Sequence, residues 1–407
     1  MDLEYRIESL ANGGDGIGRT PDGRAIFTPF TIPGERVLAR VESDERQLLR
    51  GEVLRIIEPS PARVTPRCPH FGICGGCQLQ HMDYPAQLTA KAQIVADVFQ
   101  RVGGLSGIPI RPVVPSPAPW NYRNHVQFHL DAAGRPGYQQ RASHDIVPVE
   151  VCHLAAPRLD ELRQSLSLDP AAGIARVSLR AGLDGDDLIL LESDGADLPE
   201  LELDLPASVV HAGVDGTLVL AGSGSQIIGT AAGNFQVSAQ SFFQVNLAVA
   251  DALQASVLAL LPDCLTLAVD LFCGVGFFSR ALAERAARLV AVEASLPACG
   301  DFAVNLDAFD MVELFEGSTD QVLPALKLTG GVYLADPPRA GMGIKTLEAL
   351  AAARPSALIY ISCDPATLAR DAARLARHGY SCRFVQPFDM FPHTQHIECL
   401  ALFEPEP

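Results

Sequence analysis

The chain has 407 residues, of which 48% are hydrophobic, a formal net charge of −17 and ten cysteines. The hydrophobic content is sufficient for packed cores and excludes a disordered protein, and the length predicts two or three domains. The cysteines are too few for a disulfide scaffold at this length, and no apolar stretch is long enough to span a bilayer. Because the N-terminal sequence MDLEYRIESL lacks an apolar signal region, we expect a cytoplasmic protein with no membrane association.

The negative charge argues against a polyanionic partner, but it is unevenly distributed. Residues 61–150 contain 8 basic and 5 acidic side chains, whereas residues 151–407 contain 15 basic and 32 acidic ones. The acidic runs of the second half are typical of solvated loops. Binding of RNA through the N-terminal third is therefore compatible with the composition, if it relies on local patches and shape.

The order of predicted elements divides the chain into three parts. Residues 1–60 contain short alternating segments separated by Gly and Pro turns, which favour a small antiparallel β-barrel. Residues 61–238 contain a helix over about 82–103, which could pack on the C-terminal domain, and then strand-like segments that predict a mainly β central domain. Residues 239–407 alternate strands with helices, which predicts an α/β domain with a doubly wound parallel sheet.

A glycine-containing loop over Asp270–Gly276 follows an apolar strand and precedes a helix. Glycines at this place let a ligand approach the backbone at the carboxyl edge of the sheet. The pattern Gly274-x-Gly276-x-x-Ser279 lacks the third glycine of the dinucleotide fingerprint, which disfavours hydride transfer. Glu293 ends the next predicted strand, where its carboxylate can accept both hydroxyls of a ribose. The loop alone indicates a nucleoside cofactor, although a tight structural turn fits the same pattern.

Two residues near the C-terminus are candidates for covalent chemistry. Cys363 follows the strand ALIYI and precedes a helix that begins near Asp364, so we expect the helix dipole to favour its thiolate. Asp336 ends the preceding strand at the same edge, and Glu398 lies in an otherwise apolar strand, where a carboxylate is costly unless paired or used. A buried inert thiol and a solvated edge carboxylate are the alternatives.

A thiolate, a carboxylate and a methyl donor together suit methylation of a pyrimidine at carbon 5. That carbon is too weak a nucleophile to attack a methyl sulfonium until a thiolate adds to carbon 6. A base must then remove the proton from carbon 5 so that the cysteine can leave. Cytosine reacts in the same way, so the chemistry alone does not select uracil.

Four further cysteines predict a metal site. Three of them occur within ten residues in the segment CPHFGICGGC, and the fourth follows far along the chain in the predicted central β domain. Four thiolates suit either structural zinc or an iron–sulfur cluster, and the spacing leaves this choice open. The predicted ligands are Cys68, Cys74, Cys77 and Cys152.

The motifs ADPPRAG, SCDPATLARD and FPHTQHIECLALFE, together with the cofactor loop, closely resemble the RNA uridine-5 methyltransferase family. The resemblance is strongest to the branch that modifies 23S ribosomal RNA and carries a TRAM domain and a 4Fe–4S cluster. It implies a class I, Rossmann-like methyltransferase domain, and GGDGIGRTPDGRAIFTPFTIPGE resembles the TRAM barrel, which is related in shape to OB folds.

The resemblance also implies roles for individual residues. It makes Cys363 the nucleophile and Glu398 the proton acceptor, and it favours iron–sulfur over zinc for the four cysteines. The target uridine must then leave its stack to reach the thiol. The implied contacts of S-adenosylmethionine are Gln244, Phe272, Gly274, Glu293 and Asp336.

Two positions depart from the family pattern. Phe277 occupies a position that is often polar in relatives, so a cofactor hydrogen bond is expected to be missing, and Asp364 stands where many relatives have Asn. Three alternatives remain open: the same chemistry on transfer RNA, a non-catalytic iron–sulfur RNA-binding assembly factor, and an iron–sulfur oxidoreductase. No feature indicates an obligate protein partner.

Overall fold

The chain begins with a closed five-stranded barrel in the order β1-β2-β3-β5-β4, and pairing of β4 with β1 closes it. Side chains alternate along the strands, so that one face fills the barrel with Tyr5, Ile7, Ile26, Val37 and Leu49. This confirms the predicted N-terminal barrel. The strands are β1 (Asp2–Leu10), β2 (Gly16–Arg19), β3 (Ala25–Thr28), β4 (Arg36–Glu45) and β5 (Leu48–Glu58). The structure, a computed structural model, describes residues 1–45, 48–168, 173–195, 201–203 and 206–406.

Helix α1 (Tyr84–Arg101) follows the barrel and a linker. Asp83 caps it by accepting a hydrogen bond from the Ala86 amide at 2.9 Å. Its buried residues recur every three or four positions and form one face. The apolar residues of this face pack into the same core as the C-terminal sheet.

The central part is a seven-stranded sheet in the order β14-β13-β11-β10-β6-β7-β8, with β9 and β12 paired separately. The predicted mainly β character is confirmed. Its core includes Phe128, Leu162, Val177 and Leu191. The elements are β6 (His125–Leu130), β7 (Pro136–Gln139), β8 (Ile146–Pro148), α2 (Pro157–Ser165), β9 (Leu166–Leu168), β10 (Ile174–Arg180), β11 (Leu188–Ser193), β12 (Leu201–Leu203), β13 (Ser208–Gly213) and β14 (Gly216–Ala221).

The C-terminal part is a second seven-stranded sheet with crossover helices, in the order β19-β18-β17-β20-β21-β23-β22. The first five strands of this order are parallel, and β23 is antiparallel to both of its neighbours. The elements are β15 (Ser225–Thr230), β16 (Gly233–Ser238), α3 (Leu247–Leu260), β17 (Ala268–Leu271), α4 (Phe277–Ala283), β18 (Leu289–Glu293), α5 (Leu296–Asn305), β19 (Val312–Glu316), α6 (Thr319–Leu326), β20 (Val332–Ala335), α7 (Ile344–Ala353), β21 (Ala357–Ser362), α8 (Pro365–Arg377), β22 (Tyr380–Phe388) and β23 (Glu398–Pro405).

Central strands β17 and β20 are buried along their whole length, as expected for strands covered by helices on both faces. The chain leaves β17 toward β18 and β19 and then crosses to β20 on the other side. The carboxyl ends of β17, β18, β20 and β21 therefore meet at a point where the strand order reverses, which is where open α/β sheets bind ligands. The predicted doubly wound fold is confirmed.

The hairpin β15–β16 belongs by its packing to the C-terminal core rather than to the central sheet. Ile228, Phe235 and Val237 are buried with residues of α3, α4 and α5. Residues 225–238 were predicted to belong to the central domain. Alternating side chains predict that a segment is a strand, but they do not predict which core the strand packs on. Among the residues that the structure describes, no helix combines the length and apolarity needed to cross a membrane.

Candidate active site

A cavity of about 1240 Å³ opens at the carboxyl edge of the C-terminal sheet. The seven predicted cofactor and catalytic residues come from six separate places in the chain, and all of them line this one cavity. They are Gln244, Phe272, Gly274, Glu293, Asp336, Cys363 and Glu398.

The loop after β17 exposes its backbone to the cavity. Phe272, Gly274 and Gly276 all have positive φ angles, of 64°, 54° and 92°. A Cβ atom built on Gly274 would meet nothing within 4 Å, so the space beside this residue is open on the cavity side. A ligand can therefore approach the main chain closely here.

Glu293, at the end of β18, braces this loop. One carboxylate oxygen accepts the Gly274 amide at 2.9 Å, and the other accepts the amides of Ala294 and Ser295 at 2.8 and 2.7 Å. Each carboxylate oxygen has two lone pairs, so the oxygen bound to Gly274 retains acceptor capacity for a ligand hydroxyl. The open loop and this carboxylate fit the nucleoside part of S-adenosylmethionine.

Phe277 is part of an aromatic cluster at the base of the cavity. Its ring lies edge-on to Phe235, Phe243 and Phe278, with centroid separations of 5.6, 5.5 and 5.0 Å. The side chain thus supports the turn that carries Gln244, and a polar residue would have no partner among these rings.

Asp270 is a buried carboxyl beneath the cavity that sequence reasoning left without a role. Ser279 Oγ donates a hydrogen bond to it at 2.5 Å, and its other oxygen has no hydrogen-bond partner. Burial raises the pKa of Asp270 to about 8. The sequence signal for Asp270 was its position as a polar residue at the end of an apolar strand, where the cofactor loop begins.

Cys363 follows β21 and immediately precedes the N-cap of α8. Asp364 caps this helix by accepting the amides of Ala366 and Thr367 at 2.8 and 3.3 Å. An asparagine oxygen can accept the same bonds, so the departure from the family pattern preserves the local structure.

The pKa of the Cys363 thiol is raised to about 11, mainly by burial and further by the nearby carboxyls of Glu398 and Asp336. The charge of Arg339 and a hydrogen bond from it act in the opposite direction. Burial and the two carboxyls therefore oppose the thiolate form that the helix N-terminus is expected to favour.

Glu398 is the first residue of β23 and is only 3% exposed. In the β21–β23 ladder Ser362 pairs with Cys399, so the next step of the register brings Cys363 opposite Glu398. Burial and the neighbouring Asp336 raise the pKa of Glu398 well above its usual range, and burial raises that of Asp336 to about 7. At neutral pH the two carboxyls therefore favour a state that retains a proton.

Arg339 is the cation that acts on both Cys363 and Glu398. Its Nη2 atom lies 2.9 and 3.2 Å from the two ring nitrogens of His396. Burial, followed by Arg339, lowers the pKa of His396 to about 4, so the imidazole is neutral and can accept from the guanidinium. Helix α8 fixes the Arg339 backbone, because Thr367 Oγ donates to the Arg339 carbonyl at 3.0 Å. Sequence reasoning quoted Arg339 in its motif but gave it no role, since only folding brings it to Cys363.

The four cysteines predicted to bind metal are free thiols of intermediate burial. Burial raises the pKa of Cys68, Cys74 and Cys77, and Cys152 raises all three further. The sulfur atoms are therefore near one another, although no three potential ligands in the described part of the chain stand at the spacing of a closed metal site. Four thiols are a donor set that fits a cluster or zinc.

The buried guanidinium of Arg123 lies between this cysteine group and the cavity. It stabilises the charged form of Cys77, and it also lines the cavity, 5.6 Å from the centroid of the Phe391 ring. A positive charge near Cys77 and Cys152 reduces the cost of burying their charged forms.

Family models match two parts of the chain. Residues 227–405 match the tRNA (uracil-5-)-methyltransferase family, and residues 3–54 match the TRAM domain. The first match begins within the hairpin β15–β16, in agreement with its packing on the C-terminal core.

Full-length relatives cover nearly the whole chain. An uncharacterized RNA methyltransferase of Streptomyces coelicolor is 35% identical over 99% of this chain and 93% of its own length. One from Halalkalibacterium halodurans is 34% identical over 99% and 96%. The crystal structure of Pyrococcus abyssi tRNA (uracil-54, C5)-methyltransferase in complex with S-adenosyl-L-homocysteine matches 98% of this chain and 100% of that chain, with 22% identity and a TM-score of 0.73.

The fold and the cavity define the class, an α/β methyltransferase with an N-terminal TRAM barrel. Within that class, the chain belongs to the RNA uracil-5-methyltransferase family.

Proposed function

We propose that this protein transfers a methyl group from S-adenosylmethionine to carbon 5 of a uridine in RNA, with Cys363 as nucleophile and Glu398 as proton acceptor. One observation carries the proposal. The thiol follows the last residue pair of the β21–β23 ladder by one position, the carboxyl begins β23, and both line one cavity with the cofactor loop. Neither a non-catalytic assembly factor nor an oxidoreductase accounts for that arrangement.

The covalent steps use both side chains in turn. The Cys363 thiolate adds to carbon 6 of the uracil, forming a C–S bond and moving an electron pair toward carbon 5 and the carbonyl at carbon 4. S-adenosylmethionine supplies an electrophilic methyl group, which carbon 5 accepts. The Glu398 carboxylate then takes the proton from carbon 5, the C–S bond breaks, and Cys363 leaves as the thiolate.

The protonated forms that these side chains favour suit a role for Arg339 in catalysis. Since the thiol and the Asp336–Glu398 pair all favour their protonated forms, protons must leave before the thiolate attacks and the base acts. The guanidinium opposes the raised pKa of both Cys363 and Glu398. Arg339 therefore stabilises the charged form of each residue. The thiol proton must pass to solvent rather than to Glu398, because a protonated Glu398 cannot accept the proton from carbon 5.

Five residues would hold the methyl donor. Glu293 has the free acceptor capacity that a ribose hydroxyl requires, and the backbone at Gly274 is open to a ligand. The remaining positions surround the same volume. They are Gln244, Phe272 and Asp336.

Ribosomal RNA of the large subunit is our preferred substrate, because the motifs resemble the branch that modifies 23S RNA. Transfer RNA is the second candidate, because the structurally similar Pyrococcus abyssi protein is a tRNA (uracil-54, C5)-methyltransferase. The TRAM barrel and the net basic segment 61–150 would contact either RNA. Methylation of separated ribosomal and transfer RNA pools distinguishes the two substrates. We place the reaction in the cytoplasm.

A 4Fe–4S cluster is our proposed occupant of the four-cysteine group, with zinc as the alternative. The electrostatic coupling of Cys152 to Cys68, Cys74 and Cys77, and of Arg123 to this group, supports a negatively charged thiolate centre. Its role is to hold the Cys68–Cys77 loop against the central domain, since Cys152 comes from the latter.

Labelled methyl donor with RNA containing 5-fluorouridine tests the whole proposal. Fluorine cannot leave as a proton, so the reaction should stop at a methylated adduct joined to Cys363. Mapping of that adduct to another residue, or ready release of free RNA, would contradict the mechanism.

A further inference from the structure

Helix α1 lies some 300 positions before the C-terminal strand, yet it contacts the loop that delivers Glu398. This loop, residues 389–397, connects β22 to β23 and contributes Phe391 and His396 to the cavity. Gln87 and Lys91 lie four residues apart on one face of α1 and both reach the loop.

Lys91 uses all three of its hydrogen-bond donors on the 389–397 loop. Its Nζ atom donates to Asp389 Oδ1 at 2.6 Å, to the Phe391 carbonyl at 3.0 Å and to the His396 carbonyl at 2.9 Å. The side chains of Lys91 and Asp389 are both fully buried. Two of these acceptors, the carbonyls of Phe391 and His396, belong to residues that line the cavity, and His396 stands two positions before Glu398.

Gln87 fixes the middle of the same loop. Its Oε1 atom accepts the His393 amide at 3.0 Å, and its Nε2 atom lies 3.1 Å from His393 Nδ1. His393 has a φ of 66°, a conformation that a non-glycine residue keeps only when its surroundings impose it. The contacts with Gln87 are part of that constraint.

We propose that Lys91 and Gln87 are positioning residues for proton removal, fixing the 389–397 loop so that Glu398 stands at carbon 5 of the methylated uracil. This inference rests on the proposed function. The burial supports a specific task, because an isolated lysine charge in a core is costly and an apolar residue would pack there without that cost. Since Lys91 holds carbonyl groups at both ends of the loop, its loss frees the segment that enters β23.

Loss of these contacts should slow the last step of the reaction, the removal of the proton from carbon 5, and leave the earlier steps unaffected. Nucleophilic attack depends on Cys363, which follows β21 and precedes α8, whereas the hydrogen bonds of Lys91 and Gln87 go to the 389–397 loop and to Met82. Proton removal depends on Glu398, and a misplacement of about 1 Å can slow such a step about 100-fold. Loss of Lys91 should therefore leave the covalent adduct formed and slow its breakdown.

The test uses the full-length chain, S-adenosylmethionine and ordinary uridine-containing RNA. Lys91→Met removes the donors but leaves Asp389 buried without its partner, so the double variant Lys91→Met/Asp389→Leu supplies an apolar replacement of the pair. Gln87→Met tests the second residue separately. Lys327→Met is the matched control, because Lys327 is exposed at the end of α6 and does not line the cavity.

We expect a kcat lower by about 10- to 100-fold in the double variant, with the KM for S-adenosylmethionine nearly unchanged and a protein–RNA adduct visible on denaturing gels. A purely structural role would lower the unfolding temperature without accumulating adduct. Wild-type kcat in the folded double variant would overturn the inference, and so would a lower kcat without adduct. Failure of the wild-type protein to methylate RNA would instead refute the proposed function.

Discussion

Cys363 and Glu398 occupy opposed positions one step beyond the last residue pair of the β21–β23 ladder. Opposed residues of an antiparallel pair have Cβ atoms about 5 Å apart. Carbons 6 and 5 of a pyrimidine are adjacent, so side chains at this separation can address both atoms of one ring. The register of two strands thus sets the geometry of the proposed reaction.

Replacement of the nucleophile should abolish turnover without affecting the methyl donor. We expect Cys363→Ala to reduce methylation by at least about 10³-fold, because the other thiol that lines the cavity, Cys273, is buried and its pKa is raised well above the usual range. Calorimetric affinity for S-adenosylmethionine should stay within a few-fold. Cys264→Ala, which alters an exposed cysteine outside the cavity, is the control. Normal turnover of Cys363→Ala would refute the assignment.

Replacement of the proposed base should trap the intermediate. Glu398→Gln keeps the size of the side chain and removes its ability to accept a proton, so addition and methyl transfer should proceed while release fails. A protein–RNA band resistant to denaturant, carrying label from the methyl donor, is the expected readout. Recovery of only free RNA would count against Glu398 as the base.

The same variant should alter the pH dependence of stability. The pKa of Glu398 is raised in the folded protein, so the folded state retains a proton that the unfolded state loses. Stability is therefore greatest below the unfolded pKa of about 4.3 and decreases as the pH rises above it. The unfolding temperature of Glu398→Gln should fall less between pH 5 and pH 8 than that of the wild type. An equal decline in both proteins would contradict the raised pKa.

The rate of methylation should rise with pH over the neutral and alkaline range. Since the pKa of Cys363 is about 11, the thiolate fraction increases about tenfold per pH unit well below that value. We expect kcat/KM to climb between pH 6 and pH 9 without a plateau. Arg339→Gln should lower the whole profile, because it removes the cation that stabilises the thiolate, and Arg339→Lys should restore part of the rate. A plateau below pH 7 would show that the thiol is already ionised.

Protein purified without oxygen should contain iron and sulfide. Cys152→Ser should lose both, since it removes the ligand that the central domain contributes, while Cys382→Ser should retain them because Cys382 lies on β22, outside the four-cysteine group. Metal and sulfide analysis with absorption spectra provides the measurement. Zinc in place of iron would overturn the proposed cluster.

Local patterns were sufficient to predict the barrel, the doubly wound sheet and five of the cavity residues, whereas Gln244 and Phe272 came only from the resemblance to the family. The motifs at Gly274, Asp336, Cys363 and Glu398 each end a strand or begin one, and the carboxyl ends of parallel strands meet at one edge. This reasoning needs no knowledge of side-chain contacts.

Long-range effects were beyond prediction from the sequence. The raised pKa of Cys363 results from burial and from carboxyls that arrive on other strands, and Arg339 reaches His396 only after folding. The hairpin β15–β16 alternates like the central strands, but its burial against α5 decides its location. Lys91 gave no signal, because a single lysine in a helical pattern predicts a solvated side chain.

The position of β23 between β21 and β22 has a consequence for biosynthesis. Before residue 398 has been translated, the growing chain contains the cofactor loop and Cys363. It still lacks β23, which lies between β21 and β22, and Glu398, which is the first residue of that strand. A truncated product of that length could capture RNA through sulfur without an efficient means of letting it go. Under the proposed mechanism, insertion of β23 between β21 and β22 therefore has to precede release of the methylated nucleic acid.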